Sequence, residues 1–253
     1  MTAPSTARRA RPRFVALAQY TIQSCLPLRR WVAVLVPCAG ALLFGLLAHA
    51  VQSNADQAFA NIAAEGLLSL IMPITALIIG DAVLGAEVRS GTFHFTFLSP
   101  TPIWQIVLAR WLGGSGVAVV TIAPACAVSA IIAGSPSSAA PAFLAAAVGS
   151  VAYVALFIAI SCITRRTAVW SLAIVFLVER LLGAALTGIA QLSPTWESRA
   201  IFVGYLDNPP TRLIREGIPH GGDAIIRLAI VSAIALAMAT WRMGRIRISG
   251  ASD

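Results

Sequence analysis

Apolar residues in this chain come in unbroken runs, and the polar residues are gathered in the pieces between them. Six runs stand out, at 31–51, 67–84, 103–133, 142–162, 168–192 and 224–241. A helix rises about 1.5 Å per residue, so each run can cross the roughly 30 Å hydrocarbon core of a bilayer. Hydrocarbon offers the backbone no partners, so segments of this length must bond internally as helices. The pattern predicts an all-α integral membrane protein with six transmembrane helices. It divides into a tail and interfacial helix at 1–30, a transmembrane domain at 31–243, and a second tail at 244–253.

Composition agrees with this reading. Of 253 residues, 58% are apolar and 11% charged, against roughly 25% charged in a soluble domain. The mean hydropathy is +0.84. The net charge of +8 raises nucleic acid as a partner, but the positive charges lie in short pieces between apolar runs, where membrane topology accounts for them. No nucleic-acid partner is expected; membrane lipid is.

All 18 basic residues are arginine. With the N-terminus inside, the cytoplasmic side holds Arg8, Arg9, Arg11, Arg13, Arg29, Arg30, Arg89, Arg110, Arg165, Arg166, Arg242, Arg245 and Arg247. The connections at 52–66 and 134–141 hold none. The long connection at 193–223 and its edges balance Arg199, Arg212, Arg215 and Arg227 against Glu197, Asp207, Glu216 and Asp223. Both termini are therefore expected in the cytoplasm, with the chain multi-pass in the plasma (inner) membrane. Ala48-His49-Ala50 imitates a signal-peptidase site, but the run before it is long and starts late, so the first span is read as uncleaved. Residues 1–13 read as a disordered tail and 14–30 as an interfacial helix. Cys25, Cys38, Cys126 and Cys162 form no CxxC pair and read as small buried hydrophobes.

The segment 85–102, GAEVRSGTFHFTFLSPTP, is cytoplasmic by the arginine count and too short and polar to span. It nevertheless carries Val88, Phe93, Phe95, Phe97 and Leu98. Ser99-Pro100 should end any helix there, with Thr101 as the N-cap of the third span and Pro102 at its first position. A short amphipathic element is thus clipped between two spans. By physics alone, a docking surface for a cytoplasmic partner and a partnerless membrane-surface loop fit it equally well.

Glu87-x-x-x-Gly91-Thr92-Phe93, then Leu98-Ser99-Pro100 and Arg110, resembles the first coupling helix of type-2 ABC exporter permeases, with Arg110 in place of the usual lysine. The six-span layout, the interfacial helix and the long connection before the last span are similar to that family as well. The resemblance implies an export permease that works with a second permease chain, identical or related. It also implies two copies of a P-loop ATPase subunit that hold ATP and magnesium, with no cofactor on this chain. Glu87, Val88, Gly91, Thr92, Phe93, Phe95 and Leu98 would form the docking surface. Arg165 and Arg166 would add a smaller contact, although topology alone also explains them. The chain has no lysine, so it cannot carry the P-loop's G-x-x-x-x-G-K-[S/T].

Gly113-Gly114-Ser115-Gly116 matches the G-x-S-G of rhomboid proteases. None of the three histidines, His49, His94 and His220, falls mid-membrane in this topology, so Ser115 lacks a base. The quartet reads as helix-packing material. No enzyme activity is expected.

Glu179 and Arg180 lie about 16–18 Å into the fifth span, where a charge costs roughly 2.5–3.5 kcal/mol. Glu179, Gly183, Thr187 and Gln191 recur every four residues as one polar and small stripe. With Arg180 they are expected to line the substrate pathway or the interface between permeases; a structural salt bridge is the plainer alternative. In the connection 193–223, pieces at 201–206 and 213–218 read as interfacial or re-entrant. Two other functions fit the spans: an ion-coupled secondary transporter, although no matching repeats or helix breaks are seen, and a membrane scaffold or sensor.

Overall fold

The computed structural model describes residues 13–25, 28–51, 54–85, 101–164, 166–173, 175, 193–215 and 221–245. All regular structure among them is helical. The helices are α1 (Arg13–Cys25), α2 (Leu28–Val51), α3 (Ala55–Leu84), α4 (Ile103–Ile132), α5 (Ala139–Ile163), α6 (Thr167–Ala173), α7 (Pro194–Gly204), α8 (Thr211–Arg215) and α9 (Gly221–Gly244). Five segments are long and apolar enough to cross a membrane: Val34–Val51, Ala55–Leu84, Ile103–Ile132, Pro136–Ile163 and Gly221–Gly244. Of the expected fifth span, only α6 and Val175 are among the described residues.

The bundle wears apolar residues on its outside. Ile226, Ile230, Ile234, Met238 and Trp241 form an exposed ridge on α9, and Val36, Leu43 and Val120 are each more than 60% exposed. Scattered apolar residues are normal on a soluble surface, but continuous ridges along long helices are not. Their solvent is lipid, and the chain is a membrane protein.

The second span begins twelve residues earlier than expected. Asn54, Asp56, Gln57, Asn61 and Glu65 make 52–66 look like a loop, yet α3 starts at Ala55, with the Asn54 side chain accepting from the Gln57 amide at 3.4 Å. The polar residues are tolerated because Ala58, Phe59 and Ala60 bury the opposite side and because Glu65 has a distant partner, described below. α3 is wound as π-helix at Ala63–Ile71 and again at Asp81–Gly85. The first stretch runs up to Pro73, whose missing amide and bulky ring disfavour ordinary winding before it. There the Ser69 hydroxyl donates to the carbonyl of Ala64, five residues back, at 2.7 Å. At α4 the N-cap is Pro102, extended at ψ 141°, and Ile103 opens the helix; the cap expected at Thr101 lies one residue further on.

Close approaches fix the helix directions. Gly45 of α2 meets Ser129 of α4, and Gly114 of α4 meets Val83 of α3 and Val154 of α5. Gly244 at the end of α9 lies near Ile103 at the start of α4. One end of the bundle therefore gathers the start of α4 with the ends of α3, α5 and α9; it also carries Arg110, Arg166, Arg242 and Arg245. At the other end the Ser135 hydroxyl donates to Asp56 Oδ1 at 2.5 Å. α5 and α9 run the same way, so the chain re-crosses the bundle between Ile163 and Gly221.

α1 packs on α4 at Gly113, where an added Cβ would stand 2.9 Å from both the Ala18 carbonyl oxygen and Thr21 Cβ. Gly113→Val should push α1 off the bundle. Protease cleavage within 13–25 should become fast in the variant and stay slow in the parent.

Candidate functional site

The sequence marks its strongest candidate between the second and third spans. Glu87, Val88, Gly91, Thr92, Phe93, Phe95 and Leu98 lie outside the described residues, as do Arg165 and the stripe of Glu179, Arg180, Gly183, Thr187 and Gln191. Arg166 is described. It is exposed at the Arg110 end, and its amide donates to Thr164 Oγ1 at 3.2 Å.

The helices on either side of that segment are described, and a hydrogen bond ties them together. Arg110 is 1% exposed although it belongs to a membrane-spanning helix. Its Nη1 donates to the Val83 carbonyl in the last turn of α3 at 2.8 Å. Val83 lies in the π-wound stretch Asp81–Gly85, and the guanidinium gives its carbonyl a charge-assisted bond. The bond ties α3, two residues before its last described residue, to α4 about two turns after its start.

The second site was not read from the sequence. The sequence reads 193–223 as an outer connection, with an interfacial or re-entrant piece only from 201. Instead Ser193 caps a helix from Pro194, its side chain accepting from the Trp196 amide at 3.4 Å. This helix is buried inside the bundle. Thr195 Oγ1 lies 2.5 Å from the Tyr153 hydroxyl, and Tyr153 stands about 21 Å along α5 from Ala139 and about 15 Å from Ile163. At its far end Tyr205 touches Gly221, the first residue of α9. α7 therefore starts near mid-depth and climbs to the Asp56 end, making the last half of the return between α5 and α9.

Four charges accompany it. Arg199 Nη2 lies 3.1 Å from Glu65 Oε1 on α3, and Arg227 Nη1 on α9 lies 3.3 Å from Glu197 Oε1. The Arg199 guanidinium also sits 5.9 Å from the centre of the Trp196 ring. Each pair joins a buried member, Arg199 or Glu197, to a partly exposed partner, Glu65 or Arg227, so neither buried charge is left alone in low dielectric. Glu197 is 1% exposed, and its Oε2 has no hydrogen-bond partner among the described residues. A periodic scan misses the pairs because their members are 134 and 30 residues apart. The available signal was Ser193-Pro194, a helix start, together with the balanced charges of the connection. Phe59 meets Phe202 edge-on with ring centres 6.2 Å apart, continuing the α3–α7 contact.

Gly113 and Gly114 of the glycine quartet are packing positions, while Gly116 is exposed. Gly113 and Gly114 carry the contacts given above, and the Ser115 hydroxyl is buried without a hydrogen-bond partner among the described residues. Ser115→Ala should leave the melting temperature and any transport unchanged; a large loss of transport in a folded variant would restore a chemical role to this serine. No three metal-ligating side chains converge among the described residues. No family model and no curated protein matches the chain.

Proposed function

We propose that this chain is the membrane-spanning permease subunit of an ATP-driven exporter, with six crossings, cytoplasmic termini, and ATP hydrolysed on a separate P-loop subunit. The observation that carries the reading is the Arg110–Val83 bond, which ties together the two helices that flank the apolar segment 86–100. A docking segment transmits force only if its two ends belong to one stiff body. α3 runs from Val83 about 27 Å to Glu65, which holds Arg199 of α7, and on to Ala55. A push on Phe93, Phe95 or Leu98 is delivered through α3 to the re-entrant helix at the far end. In this reading α1 lies at the cytoplasmic interface against α4, and α7 closes the outer side. The stripe from Glu179 to Gln191, with Arg180, faces the path of a hydrophobic or amphipathic substrate or the second permease chain.

The test is co-purification. The tagged chain, extracted from its own membrane in mild detergent, should bring down a P-loop ATPase and a second permease copy or relative. A correctly inserted chain that brings down no ATPase contradicts the reading and favours an ion-coupled transporter or a scaffold.

A further inference from the structure

We propose that Glu197 is a proton-binding site inside the bundle, taking its proton on Oε2. The site goes beyond the permease reading and does not depend on it. Glu197 is 99% buried, with one carboxylate oxygen engaged and the other bare among the described residues. An ionised oxygen with no donor is costly to bury, and protonation exchanges it for a neutral hydroxyl that costs far less. A metal cation is a poor alternative ligand, because hard cations take six or more oxygens and no cluster of acids, histidines or cysteines converges here among the described residues. Oε2 has no appreciable solvent-accessible surface, so a hydrated ion has no place beside it.

The surroundings supply both states. α9 brings Arg227, whose side chain is 44% exposed and can be solvated when the pair loosens; the exposed Asp223 lies one turn earlier. α3 brings Glu65, which is engaged by Arg199 of α7 itself. α5 brings no charged residue, and its Tyr153 hydroxyl is joined to Thr195. The ionised state is tied to α9 through Arg227. The neutral state gives up the ionic part of that tie, so proton uptake loosens α7 from α9.

The test is an infrared pH titration of the full-length chain in detergent, from about pH 4 to about pH 9, after exchange into heavy water. A slowly exchanging carboxylic acid band should titrate in the parent and be absent from Glu197→Gln. In Arg227→Gln the midpoint should rise by about one pH unit or more, because loss of a cation in contact favours the protonated carboxyl. The same band in Glu197→Gln overturns the proposal. So does an unmoved midpoint in Arg227→Gln, a variant that remains decisive if Glu197→Gln fails to fold.

Discussion

Gly149→Val should unseat α7 and destabilise the bundle by about 3 kcal/mol, the upper part of the usual range for overpacking. Gly149 lies on α5 where α3 and α7 both press against it. An added Cβ would overlap Ser198 Oγ and stand 2.6 Å from Met72 Sδ. Ser198 cannot swing away freely: it is fully buried, and its hydroxyl donates to the Pro194 carbonyl at 2.6 Å. Met72 is likewise fully buried. The expected outcome is a lower melting temperature and protease access to 194–204. Gly116→Ala is the matched control. Nothing lies within 4 Å of its built Cβ, and alanine is the better helix former, so its melting temperature should hold or rise slightly. Equal loss in both variants would mean that α7 does not sit against Gly149.

Phe95→Asp combined with Leu98→Asp should cut recovery of the ATPase partner about 30-fold or more without changing the melting temperature of the bundle. Buried aromatic anchors at interfaces contribute about 2 kcal/mol or more each, and 1.4 kcal/mol is a factor of ten. Introducing two carboxylates adds a desolvation cost to that loss. ATP-driven transport should fall with the recovery. Unchanged recovery would leave residues 86–100 as a membrane-surface loop.

The spans were legible in the sequence wherever they are apolar throughout. The runs at 31–51, 103–133, 142–162 and 224–241 each fall within a few residues of α2, α4, α5 and α9. The second run was legible only from residue 67. Glu65 and the polar residues before it lower the hydropathy of a helix that in fact continues to Ala55. Glu65 is held by Arg199 and Asp56 by Ser135, both remote in sequence and close in space. The same blindness hid α7. Glu197 and Arg199 within eleven residues make an outer loop the natural reading, and only the three-dimensional pairing with Arg227 and Glu65 neutralises them. The arginine census was legible because topology depends on composition near helix ends, whatever the packing. Among the described residues, Arg110, Arg166, Arg242 and Arg245 gather at one end of the bundle. The joint at Arg110 was half legible: the sequence marks the charge entering the third span, while its acceptor is a backbone carbonyl, which no side-chain pattern reveals.

The central claim is that residues 86–100 seat on an ATP-binding subunit, and a photo-crosslinker at position 95 tests it most directly. Phe95 is replaced by a benzophenone-bearing phenylalanine, native membranes are irradiated, and the adducts of the tagged chain are identified by mass. The account predicts a crosslink to a P-loop ATPase, lost when the same group is placed at the lipid-facing Val120. Crosslinks from position 95 to lipid alone would contradict it.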